Sequence, residues 1–71
     1  MRTGFEIARD RAVEYLVGWT LAGRTWPIRM ADLTRNAGSM DSALNHRAAV
    51  AALHHLNIRV PRARNQFIKA A

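Results

Sequence analysis

Apolar residues recur at intervals of three and four over the first third of the chain. Phe5, Ala8, Ala12, Leu16 and Trp19 form a stripe that Val13, Val17 and Leu21 widen. That period places them on one side of a helix from about Gly4 to Ala22, with Glu6, Arg9, Asp10, Arg11 and Glu14 on the other. Thr3 followed three residues later by Glu6 has the form of a capping box, each side chain satisfying the other's free backbone N–H at a helix start. Gly23 suits the left-handed position beyond the last turn.

A second helix is predicted over 27–37, with Pro27 in its first turn, where the missing N–H costs nothing, and with Ile28, Ala31 and Leu33 pointing inward. It stops at Gly38. Ser39 then caps a third helix over 39–56, Asp41 complements the dipole of its first turn, and Asn57 ends it. Beyond Asn57 the period shortens: Ile58-Arg59-Val60 and Gln66-Phe67-Ile68 are short β-branched or aromatic runs on either side of Pro61-Arg62-Ala63-Arg64-Asn65. Two strands of a hairpin with a five-residue basic tip fit that pattern, and a disordered basic tail is the alternative. The expected architecture is mainly α: one domain of three helices over 1–71, with or without a C-terminal β-hairpin over 58–71.

Helical geometry exposes a tension in the third helix. If Leu44 points inward, Leu53 lies about 180° around a straight helix from it and Leu56 about 120°. Either the helix bends or breaks near Arg47-Ala48, or the pair needs cover from the hairpin or from a second copy. Ala48, Ala49, Ala51 and Ala52 propagate a helix well, which favours cover and makes Leu53 and Leu56 the expected dimer or partner surface.

Of the 71 residues 49% are hydrophobic, but 13 of these are alanine, leaving room for one small core. That modest core also favours a homodimer. There is no cysteine, so neither a disulfide framework nor a thiolate metal site is available and a reducing compartment is expected. The N-terminus lacks a signal peptide's apolar stretch and no run is long enough to span a bilayer, which together predict a cytoplasmic protein without membrane contact. His46, His54 and His55 do not have the i, i+4 spacing of a helical metal site. No nucleophile elbow or phosphate-cradling glycine loop is present, so neither an enzyme nor a cofactor is expected. Trp19 and Trp26 read as core residues.

Charge adds direction. Eleven Lys and Arg oppose five acids, a net of +6. Residues 1–41 hold six Arg and all five acids, a net of +1, whereas residues 42–71 hold four Arg, one Lys and no acid, a net of +5. A polyanion, nucleic acid or an anionic membrane surface, is the partner this balance suggests, with its contact surface after residue 41. The nearly charge-balanced first helix and sparsely charged third helix argue against the membrane.

From Leu33 to Leu44 the chain reads Leu-Thr-Arg-Asn-Ala-Gly-Ser-Met-Asp-Ser-Ala-Leu, then Asn45-His46-Arg47. This segment resembles the helix-turn-helix of phage Cro and repressor proteins. Gly38 fills the turn, Ala37 and Leu33 the apolar places one and five before it, and Leu44 the place six after it. Ser42-Ala43-Leu44-Asn45 is similar to the opening of a Cro-type recognition helix. Thr34 departs from the motif, which normally has a very small residue there, as do Ser39 and Arg47, where it prefers apolar side chains.

The resemblance implies a small sequence-specific regulator of transcription that binds double-stranded DNA. Met40, Asp41, Ser42, Asn45 and His46 would contact bases, the last three turned away from Leu44. One helix before the motif and a basic hairpin after it are similar to the order of a winged-helix domain. Phosphate contacts would then come from Arg29, Arg35, Arg47, Arg59, Arg62, Arg64 and Lys69. The competing reading is a small helical module, such as a phage-type inhibitor of a host protein, that binds another protein through the surface around Leu53 and Leu56.

Overall fold

The computed structural model describes residues 2–24, 26–63 and 65–69. Helix α1 spans Gly4–Leu21. The Thr3 side chain accepts from the Glu6 N–H at 3.1 Å, and the Glu6 carboxylate accepts from the Thr3 N–H at 3.2 Å. The two bonds from Thr3, backbone first and hydroxyl second, hold the Glu6 carboxyl below its ordinary value. A lowered folded-state value means that this contribution is present above the unfolded carboxyl value and is lost as pH falls from there through the lowered folded one. At the other end Gly23, at φ 67°, lets its own N–H reach Thr20 and the Arg24 N–H reach Trp19, so two final carbonyls are satisfied.

Strand β1 is Ile28–Arg29, and helix α2 follows at once as Met30–Asn36. The second helix is therefore shorter than the sequence predicts, because residues 28 and 29 are extended. Their backbones pair antiparallel with strand β2, Phe67–Ile68, in the register Ile28 to Ile68 and Arg29 to Phe67. The expected local hairpin is corrected accordingly. The segment 66–68 pairs with β1, some forty positions away, while Ile58 and Val60 pack on the core unpaired. Ile28 and Ile68 are both fully buried by this arrangement.

Helix α3 is Ser42–His55, with Asp41 rather than Ser39 at its cap; the Asp41 carboxylate accepts from Ala43 and Leu44 at 3.0 and 3.1 Å. Its buried positions are Asn45, Ala48, Ala49, Ala52 and Leu53, an i, i+3, i+4, i+7, i+8 stripe. Leu44 sits at the edge of that stripe, which overturns the premise that placed Leu53 on the far side. Leu53 is 0% exposed. Helix α3 ends as predicted at left-handed Asn57, where the N–H of Asn57 reaches His54 and that of Ile58 reaches Leu53. This end geometry folds Ile58 back over the Leu53 turn.

The core collects Leu16, Ile28, Met30, Leu33, Leu53 and Ile68 around an alanine floor of Ala12, Ala49 and Ala52; Ala8, Ala37 and Ala48 form a satellite beneath Phe5. Ala31, expected inside, is exposed, and so are Val17 and Leu21 on α1. Gly18 is different again: a methyl group there would meet nothing within 4 Å. Since glycine inside a helix costs about 0.5–1 kcal/mol relative to alanine, Gly18→Ala should raise stability by that amount, read as a small upward shift of the thermal midpoint.

Candidate nucleic-acid interface

The link from α2 to α3 runs from Ala37 to Asp41. Gly38 has φ 81°, a backbone conformation that favours glycine, whereas the nearest obstacle to a Cβ is the Arg11 guanidinium at 3.0 Å, the end of a flexible and exposed side chain that can move aside. Its N–H closes α2 on the Arg35 carbonyl at 3.2 Å. The next donor, the Ser39 N–H, instead reaches the Asn45 side-chain oxygen at 2.9 Å, and the Asn45 amide donates to the Ser39 carbonyl at 2.7 Å. A single side chain on α3 thus clamps both backbone groups of the turn. Asn45 is 6% exposed.

The outward orientation expected of Asn45 is therefore wrong. Its amide has no remaining reach for a base edge, because the stripe that faces the core begins with Asn45 rather than Leu44. The three departures from the motif are also accounted for locally. Thr34 is buried with its hydroxyl donated to the Met30 carbonyl at 2.9 Å, and Ser39 is held by the Asn45 clamp. Arg47 is exposed, and the neighbouring Ala48 takes the buried place.

Of the other expected base contacts, Met40 and Ser42 stand exposed at the start of α3. Asp41 is exposed too, but its carboxylate is committed to the helix cap. His46 is half-buried, and its Nδ1 is shielded without a hydrogen-bond partner. Ala43, not considered from sequence, shares the exposed side with Arg47 one turn later.

The expected phosphate contacts separate into groups. Arg35 is ion-paired with Asp32 at 2.6 Å, and Arg29 lies 5.4 Å from the centroid of the Phe67 ring. Arg64 lies outside the described residues. Arg59, Arg62 and Lys69 come together around an open cleft of about 640 Å³. The loop bordering the cleft is held by Gln66, whose side-chain oxygen accepts from the N–H groups of Arg62 and Ala63 at 2.8 and 3.2 Å. Neither Gln66 nor Phe67 was singled out from sequence, since their placement depends on the distant pairing with β1.

A second depression, of about 260 Å³, is almost wholly apolar and lies among Leu16, Val17, Leu21, Trp26, Leu56 and Ile58. Leu56 is half-buried on its wall, and Leu21 beside it is 82% exposed. Of the two residues expected on a partner surface, Leu56 lines this depression at the C-terminal end of α1, whereas Leu53 is buried in the core. Among the described residues no three His, Asp or Glu side chains gather as a metal-ligand set, and no helix is long and apolar enough to cross a membrane. Comparison with known protein families, with curated proteins and with solved structures finds no match.

Proposed function

We propose that the protein is a small sequence-specific DNA-binding regulator of transcription. In this reading α2, the Gly38 turn and α3 act as a helix-turn-helix, and the start of α3 enters the major groove of double-stranded DNA. One observation carries the reading: a glycine-dependent, clamped turn leads into a helix whose first residues are uncovered and after which the chain has no acid. Met40, Ser42 and His46 remain the base contacts expected from sequence. Arg47 joins them as a side chain able to bond guanine bidentately. Arg59, Arg62 and Lys69 hold phosphates, supplying affinity without sequence information.

A homodimer suits this function, because a two-fold protein reads two half-sites about 34 Å apart. The contact surface would be the depression beside Leu21 and Leu56. That same surface supports a second reading, a helical module that binds another protein, which the exposure of Leu21 favours.

Selection of binding sites from a random duplex library, followed by anisotropy titrations across salt, tests the proposal. Arg47→Ala should lower affinity for the selected site by about 1–3 kcal/mol and relax its selectivity. Arg62→Ala should weaken all sequences alike and flatten the log–log salt slope by about one. A selected site with two symmetric half-sites supports the dimer, and a lone half-site removes it. If no sequence is enriched at physiological salt, the DNA reading fails and the protein-binding module takes its place.

A further inference from the structure

We infer that the cleft between residues 59–62 and β2 is a nucleotide-binding site, separate from the groove-reading face of α3. Three cations border it, and among the described residues Arg59, Arg62 and Lys69 have no carboxylate partner. Asp10 and Asp32 take arginines elsewhere, Glu6 and Asp41 serve helix starts, Glu14 is exposed on α1 and does not line the cleft, and the chain has no Asp or Glu after residue 41. Like charges held around one concavity repel each other, and an anion placed among them relieves that repulsion.

The cleft is preformed. Gln66 fixes the loop through two backbone N–H groups and donates its own N–H to the Ala63 carbonyl at 3.1 Å, while fully buried Ile68 anchors the far wall. An anion entering it therefore orders little chain, which favours affinity. At about 640 Å³ the space is of small-molecule size, more than a single phosphate requires.

Phe67 supplies the rest of the chemistry. The residue lines the cleft and is 45% exposed, and the Arg29 guanidinium lies 5.4 Å from the centroid of its ring. An aromatic surface beside three unneutralised cations matches a ligand that joins a flat base to a phosphate. A free mononucleotide and the 5′-terminal nucleotide of a single strand share that chemistry.

The test is a titration of the full chain, followed by its backbone amide resonances, with AMP, adenosine, inorganic phosphate and 5′-phosphorylated hexathymidylate at matched ionic strength. AMP should move the amides of Arg62, Ala63, Gln66 and Phe67 and bind at least tenfold more tightly than phosphate or adenosine. Phe67→Leu should remove that tenfold advantage and leave phosphate binding unchanged. Arg59→Gln should weaken both AMP and phosphate, and it carries the test if the Phe67 variant fails to fold. Hexathymidylate binding more tightly than AMP at these amides assigns the strand end as ligand, and the reverse assigns the free nucleotide. AMP binding no tighter than phosphate, or shifts confined to α3, would overturn the proposal. Arg59, Arg62 and Lys69 are also the duplex phosphate contacts proposed above, but the two readings are measured apart. Library selection reads the sequence preference of α3, and the titration reads AMP against phosphate at the amides of the cleft, so either can fail while the other holds.

Discussion

Leu53→Ala is expected to lose about 3–5 kcal/mol of folding free energy, the cost of deleting a fully buried leucine and leaving a cavity behind. For a domain of 71 residues, whose whole stability is on the order of 4–10 kcal/mol, that loss is close to unfolding. Leu53 touches the core from α3 and is roofed by Ile58 through the Asn57 turn, so the chain covers it unaided. The loss should therefore be independent of protein concentration in urea unfolding. Leu21→Ala, at an exposed site, should change monomer stability by less than about 0.5 kcal/mol. A Leu53 variant as stable as the parent, or one whose loss grows on dilution, would restore the partner surface that sequence arithmetic had placed there.

Asn45→Ala is expected to act on the fold before it acts on any ligand. The substitution removes the acceptor for the Ser39 N–H and the donor for the Ser39 carbonyl, leaving two backbone groups of a half-buried residue without their side-chain partner. Each is worth about 1–2 kcal/mol, a loss of about 2–4 kcal/mol for the pair before the lost side-chain volume is counted. Thermal unfolding should show a midpoint lower by roughly 10 °C or more. A side chain that only reads bases would leave the midpoint unchanged and alter DNA selectivity alone. That contrast is the measurement that separates the two roles.

These two residues mark the boundary of what the sequence could show. Three helix ends were legible from local chemistry, since Thr3 with Glu6, Gly23 and Asn57 all act as read, whereas the cap of α3 is Asp41 and not Ser39. The buried side of α3 was not, because its stripe is mostly alanine and alanine gives hydropathy patterns little contrast. Leu44, the first large apolar residue of that helix, drew the inward direction toward itself and displaced Asn45 and Leu53 to the wrong side.

The start of α2 was obscured for another reason. Pro27 suits a helical first turn, but Ile28 and Arg29 are kept extended by Phe67 and Ile68, and a pairing across so many residues leaves no local trace. The same pairing explains why a hairpin seemed complete at 58–68 when its outer strand belonged elsewhere. Of the candidate site, the turn glycine and the basic residues were legible, whereas the clamp on Ser39 and the Gln66-braced cleft arise only when distant segments meet.

The alanine floor between α1 and α3 carries one more implication. Alanine surrenders no rotamer freedom when it is buried, so this interface closes at little side-chain entropy and relies on backbones lying near one another. Change there is consequently one-sided. Ala12, Ala49 and Ala52 have almost nothing to lose by shrinking except helix propensity, while any added methylene must push two helices apart. Over generations such a domain should diversify at its surface and ends, and hold its centre nearly fixed.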